Sequence, residues 1–336
     1  MAKRKNKQSD PREGKEKRNR KRKRKGDNES DGETQNKPRT MQDTVANSTK
    51  QDSLPRASNS MRILSHNVWC HYPMTYVPWK QCGHAILGFR CKTRLELLAR
   101  HINSVQYDVV CLQELFVLRL SSLYELRSNF DYMVDLLAQG GYVHHSDPCD
   151  SLRADRTIGQ NSGVAIFSRH PLESVESVDF ECTAERSNTK GFVVADVRRD
   201  GRLVRVVSAH LDARDWTAKS SQITQLADYL VRKASVVKAE TVVCGDLNVC
   251  PQTRGSGGYD DGTQYAHLAA EFGRAGLTDA WAPEESQPTE GNATLDHIFY
   301  RADAWREEAK SVVRVQDEEG LSVSDHYGLD LLISPQ

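Results

Sequence analysis

The sequence predicts an α/β fold in which two β-sheets pack face to face with helices outside. Three observations lead there. Short runs of β-branched and apolar residues recur through the chain and read as buried strands, as at Tyr107–Leu112 and Thr241–Cys244. They outnumber the segments with helical periodicity. Two further runs, Phe192–Arg198 and Leu203–His210, alternate across Arg199-Asp200-Gly201, a strong hairpin signal that excludes a purely parallel, doubly wound sheet.

In chain order, Met61–Asn67 reads as the first strand. Thr93–Ser104 follows as an amphipathic helix with Leu95, Leu98, Ala99 and Ile102 on one face, and Tyr107–Leu112 as a second strand leading to Glu114. Phe116–Phe130 reads as helical, Tyr132–Leu137 as extended, and Ser162–Ser168 as a strand stopped by His170-Pro171. After the hairpin come a helix at Trp216–Lys233, a core strand at Thr241–Cys244 and a helix at Thr263–Arg274. The chain returns to strands at Thr294–Tyr300, Ser311–Val315 and Tyr327–Ile333. No Pro/Ser-rich linker or repeat divides residues 61–336, so one domain is expected there.

The formal net charge of +0 conceals a division. Residues 1–60 carry 18 Lys and Arg against 9 Asp and Glu, while the remainder carries 28 against 37. The first stretch is densest from Lys15 to Lys25 and has almost nothing with which to build a core, so it is expected to be a disordered basic arm. Such an arm serves as a nuclear address, a nucleic-acid tether, a patch for anionic lipid, or simply a solubilising tail. Translation starting at Met61 would remove it altogether. No apolar run approaches the roughly 20 residues of a membrane-spanning helix, and no signal-peptide core follows the basic start. The expectation is an intracellular protein, nuclear or peripheral to a membrane. Cys111 and Cys244 lie in core strands as small hydrophobes, and the spacing of Cys70, His71, Cys82, His84 and Cys91 matches no common zinc pattern.

Short polar motifs stand just past the ends of the apolar runs. They are His66-Asn67, Gln113-Glu114, His210-Leu211-Asp212, Gly245-Asp246-Leu247-Asn248, Asp296-His297 and Ser324-Asp325-His326. Each has an ordinary reading: Glu114 as a solvated strand end, Asp246 and Asn248 as turn formers, His210 as a structural imidazole, and Ser324-Asp325-His326 as an exposed turn. Several such sites in one order are not explained by turns alone. If the strand ends converge, they gather hard oxygen ligands and two titratable imidazoles, a set suited to metal-assisted phosphodiester hydrolysis.

With Leu64-Ser65 before the first motif and Ser162-Gly163-Val164-Ala165-Ile166 between the second and third, this succession resembles the endonuclease/exonuclease/phosphatase superfamily over Met61–Ser334. The resemblance implies a four-layer αββα sandwich of two mixed sheets and phosphoester hydrolysis with a divalent metal, magnesium by preference and manganese as a substitute. Within it the chain looks most like the neutral, magnesium-dependent sphingomyelinase C branch. The residues that point there are His66-Asn67-Val68-Trp69, Lys190-Gly191-Phe192, His210-Leu211-Asp212-Ala213, Gly245–Val249 and Ser324-Asp325-His326-Tyr327. Carried over, Glu114 is the main metal ligand, supported by Asn67, Asp246 and Asp325. Asp246 and Asn248 orient the attacking water and a phosphate oxygen; Asn67 and Lys190 also face the phosphate. His326 is the general base, oriented by Asp296, and His210 stabilises the transition state or protonates the leaving oxygen.

The chain departs from that branch in two places. Cys182 has no disulfide partner near His210, and Val312–Val323 lacks the aromatic tip with which bacterial members enter a membrane. Tyr76 and Trp79, in the loop Tyr72–Trp79, are the alternative membrane contacts, or else part of a lid. The expected partner is a phospholipid at a membrane surface, met by a monomer and cleaved, if sphingomyelin, to ceramide and phosphocholine. The alternatives are a magnesium-dependent DNA or RNA nuclease, with the basic arm supplying nucleic-acid contacts, and a catalytically dead member acting as a basic scaffold. The negative body is awkward for nucleic acid, and the full set of site residues weighs against a dead scaffold.

Overall fold

A computed structural model describes residues 59–70, 91–121, 124–147, 159–185, 188–236, 239–251, 262–281, 283, 285–320 and 322–336. The arm up to residue 58, and with it the expectation of disorder, lies outside them, as do Tyr76 and Trp79. The strands are β1 Met61–Asn67, β2 Val109–Gln113, β3 Leu118–Ser121, β4 Tyr124–Leu126, β5 His144–His145, β6 Gly159–Gln160, β7 Ala165–Ser168, β8 Leu172–Asp179, β9 Gly191–Arg199, β10 Arg202–His210, β11 Glu240–Asp246, β12 Thr278–Asp279, β13 Asp296–Tyr300, β14 Trp305–Val313 and β15 Gly328–Pro335. The helices are α1 Cys91–Val105, α2 Ser128–Ala138, α3 Trp216–Val236 and α4 Thr263–Arg274.

Two six-stranded sheets form the centre, in the orders β14-β15-β1-β2-β7-β5 and β12-β13-β11-β10-β9-β8, with a small sheet β4-β3-β6 beside them. Both large sheets are mixed. Strands β1 and β2 run parallel, as do β10 and β11, because α1 and α3 carry the chain back across each sheet between them. Alternation then sorts the side chains into layers. Ile63, Val109, Ile166, Val193, Val206, Val242, Ile298 and Leu331 fill the space between the sheets. Leu95, Leu98, Ala99 and Ile102 of α1 pack with Phe130 and Met133 of α2 on the outer face of the first sheet. Ile223, Leu226, Leu268 and Phe272 cover the outer face of the second. The result is the four-layer αββα sandwich.

Residues 116–137 differ from expectation. Leu118–Ser121 and Tyr124–Leu126 pair as a hairpin where a helix was expected, and Tyr132–Leu137 lies inside α2 where a strand was expected. Tyr132, Val134 and Leu136 alternate as strand residues would, yet these three are only partly buried. The buried set is Phe130, Met133 and Leu137, at helical spacing. Strand β8 went unrecognised because it is an edge strand, exposed along most of its length, with few apolar residues to show a period.

Candidate metal and catalytic site

The strand directions bring the motifs together. Parallel pairing sets Asn67 at the end of β1 beside Gln113 at the end of β2, and His210 at the end of β10 beside Asp246 at the end of β11. Antiparallel β13 begins opposite, placing Asp296 against Asp246. Just before β15, which pairs with β1, stand Ser324, Asp325 and His326.

Gly245 is required by close approach within β11 itself: at φ 146, a Cβ there would lie 1.9 Å from the Ala209 carbonyl oxygen of β10. Backbone strain accumulates at the same end. Glu114 (φ 59), Asn248 (φ 52) and Trp69 (φ 47) all adopt left-handed conformations, each costing on the order of 1–3 kcal/mol. Gly163 presses on Glu114 from behind, where a Cβ would come within 2.9 Å of the Glu114 Cα.

Two sets of donor atoms lie within 4.8 Å of one another, Glu114 with His210 and Asp246, and Asp246 with Asp296 and His326. Asp246 is common to both and 2% exposed. Its pKa is pushed up to about 7, first by burial and then, against the pull of His326, by Asp296 and Glu114. Asp325 stands outside both sets, and burial, with Glu114 and Glu290, lifts it to about 6. His326 Nδ1 donates to Asp296 Oδ2 at 2.8 Å, and its Nε2 lies 3.8 Å from Asp246 Oδ2. Burial alone would lower the His326 pKa; Asp296, Asp246 and Asp325 together raise it well above the usual imidazole value. Behind it, fully buried His66 donates from Nδ1 to the Asn67 carbonyl (2.8 Å) and is held down at about 4 by burial.

Asn67 spans two neighbours. Its Nδ2 donates to Asp246 Oδ2 at 3.0 Å while its Oδ1 accepts the Trp69 N–H at 3.0 Å, so in this arrangement it orients Asp246. Lys190, expected over the phosphate, donates to His210 Nε2 at 2.8 Å and lies 3.5 Å from Glu185. His210 Nε2 is in turn 3.5 Å from Asp246 and 3.8 Å from Glu114. Asp212 closes the adjoining turn, accepting from the N–H groups of Ala184, Glu185, Arg214 and Asp215. Those bonds overcome the opposing effect of burial and lower its pKa.

Of the supporting residues, Arg94 and Gln222 carried no motif, and His297 belongs to the Asp296-His297 motif but serves the loop rather than the metal. Buried Arg94 of α1 donates to the carbonyls of Val68, Trp69 and Val323, tying the first motif to the last. Gln222 of α3 accepts the Asp212 N–H at 2.8 Å, and His297 bridges Asp279 (2.9 Å) and the Val249 carbonyl (2.7 Å). Of the cysteine cluster, Cys70 and Cys91 place their sulfurs 2.7 Å apart; Cys82 and His84 lie outside the described residues.

The donor chemistry fits a hard divalent cation. Glu114 and Asp246 offer oxygens in a desolvated pocket, and a positive ion is the countercharge that keeps such carboxylates ionised. Residues 64–326 match the family described as Endonuclease/Exonuclease/phosphatase. The chain belongs to that family. It is 24% identical over 274 residues to a Staphylococcus aureus phospholipase C, across 75% of this chain and 77% of that protein. A Bacillus cereus sphingomyelinase C is 23% identical over 223 residues, across 60% of this chain and 61% of the relative. The fold is similar to that of a Staphylococcus aureus beta toxin variant crystallised with bound magnesium ions, with a TM-score of 0.58 and 18% identity over 81% of this chain and 99% of that one. Family and site together describe a metal-dependent phosphodiesterase with a sphingomyelinase-like sequence.

Proposed function

We propose that this protein is a magnesium-dependent phosphodiesterase that hydrolyses sphingomyelin to ceramide and phosphocholine. One observation carries the choice of substrate. Lys190 belongs to the Lys190-Gly191-Phe192 segment that distinguishes the sphingomyelinase-like sequence, and its ammonium sits inside the site on His210. The curated relatives that match most of the chain's length carry phospholipase C and sphingomyelinase C names, which supports the same reading.

In this reading Glu114 and Asp246 hold the cation, with Asn67 aligning Asp246 and Asp325 completing the acidic shell. The cation, when bound, supplies the countercharge that stabilises developing phosphoryl charge and lets His326 give up its excess proton. His326, its ring fixed by the Nδ1 bond to Asp296, then accepts the proton of the attacking water at Nε2. Asn248 holds a phosphate oxygen, while Lys190 and His210 face the leaving-group side, where the Lys190 ammonium, held on His210 Nε2, stabilises the charge of the transition state and the leaving oxygen takes its proton from solvent. Residues 61–336 form the catalytic domain and act as a monomer at a lipid surface, with Tyr76 and Trp79 as membrane contacts. The preceding basic stretch acts in placement rather than chemistry.

Purified protein with magnesium, given sphingomyelin, lysophospholipid and nicked DNA in parallel, tests this. Release of phosphocholine from sphingomyelin is expected to dominate. Faster cleavage of DNA would move the protein to the nuclease side of its family, a reading favoured by the basic stretch before residue 61.

A further inference from the structure

We infer that Lys219 is a positioning residue, one that sets the backbone of the Asn248 loop so that the Asn248 side chain faces the phosphate. The inference rests on the proposed role of Asn248. That residue holds a left-handed backbone without being glycine, a state that persists only where its surroundings over-determine it. Three bonds do so here. The Asn248 N–H donates to Asp246 Oδ1 at 3.1 Å, its Nδ2 donates to the Leu211 carbonyl at 3.1 Å, and its own carbonyl accepts Lys219 Nζ at 2.5 Å. The first two tie Asn248 to residues of the site; the third comes from outside it.

Lys219 lies near the start of α3 and is 4% exposed. Lysine is seldom so buried, since desolvating an ammonium is costly, and a charge-assisted bond to a carbonyl recovers part of that cost. The helix start is itself fixed, with the Ala218 N–H on Asp215 Oδ1 at 2.8 Å. One step along the loop, the Val249 carbonyl accepts His297 Nε2. Consecutive carbonyls, Asn248 and Val249, are therefore captured by a helix and by a strand. Without the ammonium, the carbonyl of the Asn248–Val249 peptide loses this hold, only the next carbonyl along stays captured, and the left-handed conformation relaxes. An amide displaced by about 1 Å is enough to cost up to 10²-fold in rate.

The test is a double-mutant cycle with bis(4-nitrophenyl) phosphate and magnesium, a probe with the phosphodiester linkage but neither lipid nor nucleic acid. Its outcome is therefore independent of whether sphingomyelin is the substrate. Lys219→Met is expected to lower kcat about tenfold or more with KM within about twofold. In an Asn248→Ala background it should cost nothing further, because the residue it positions is gone. Lys219→Arg should recover most of kcat. Should Lys219→Met not fold, Lys219→Gln takes its place in the cycle. Equal losses in both backgrounds, or an unchanged kcat, would overturn the inference alone. An Asn248→Ala enzyme as active as the wild type would overturn the phosphate-holding role of Asn248, and the inference with it.

Discussion

The two ends of the same strands treat buried charge in opposite ways. Away from the site, carboxylates meet cations directly. Asp108, just before β2, accepts from the Arg62 N–H at 2.7 Å and lies 3.0 Å from His170 Nε2 and 2.6 Å from Arg199. Asp330 pairs with Arg62 at 2.6 Å, and Asp196 with Arg205 through two bonds of 2.8 and 3.0 Å. At the site end, Glu114, Asp246, Asp296 and Asp325 gather around two imidazoles and Lys190, and two of the four are forced toward their neutral forms. One end is organised for the fold's own stability. The other stores an electrostatic deficit that a divalent cation and a phosphate can settle, and its strained Glu114 and Asn248 belong to the same bargain.

The largest expected effect breaks the comparison at the site end only. Chelation should abolish phosphodiester hydrolysis, and magnesium or manganese should restore it; full turnover in excess chelator would remove Glu114 and Asp246 from metal binding. Next, His326→Ala should lower kcat by roughly 10² or more, the usual contribution of a general base, with the fold intact by circular dichroism. A loss below about threefold would take His326 out of that role.

At the paired end, Asp108→Ala should leave kcat of the folded enzyme unchanged and cost up to about 3–5 kcal/mol of stability in urea unfolding, because it removes the buried carboxylate that holds the Arg62 N–H and His170 and leaves part-buried Arg199 with Asp200 alone among the described residues. A smaller effect sharpens the contrast through pH. Asp246 rises from its unfolded value of 3.8 to about 7 in the fold. Its contribution to stability is therefore present at low pH and lost as pH climbs through about 7. In chelator, the melting temperature of the wild type relative to Asp246→Asn should fall between about pH 4 and pH 7 and level off above that, and magnesium should cancel the fall. A flat difference would show that Asp246 is not held near neutrality.

The site was legible wherever a polar residue interrupts an apolar run at a strand end. Asn67, Glu114, His210, Asp246, Asn248, Asp296 and His326 were found that way, because β-strands announce their ends and parallel neighbours finish together. Pairings within the site were not legible. Neither the Lys190 contact with His210 nor the turn of Asn67 toward Asp246 leaves a periodic trace. Arg94, Lys219 and Gln222 were missed for another reason: on an amphipathic helix a charged or amide residue reads as solvated, and only the fold shows that these point inward to loop carbonyls. The misread span 116–137 shows the same weakness in apolar form, since aromatic and β-branched residues of α2 imitate a strand when its buried stripe is short.

Strand β15, the last of the described fold, is flanked by β14 and by β1, the first. His326 is delivered by the residues that lead into it. Strand β1 must wait for a neighbour about 270 residues further along the sequence, Met61 pairing with Ile333, and so long-range a pairing is the slowest kind to form. Glu114, Asp246 and Asp296 can assemble earlier, but Asp325 and His326 are not in position until β15 docks. A chain cut before β15 keeps Glu114, Asp246 and Asp296 but loses the strand that docks His326 beside them.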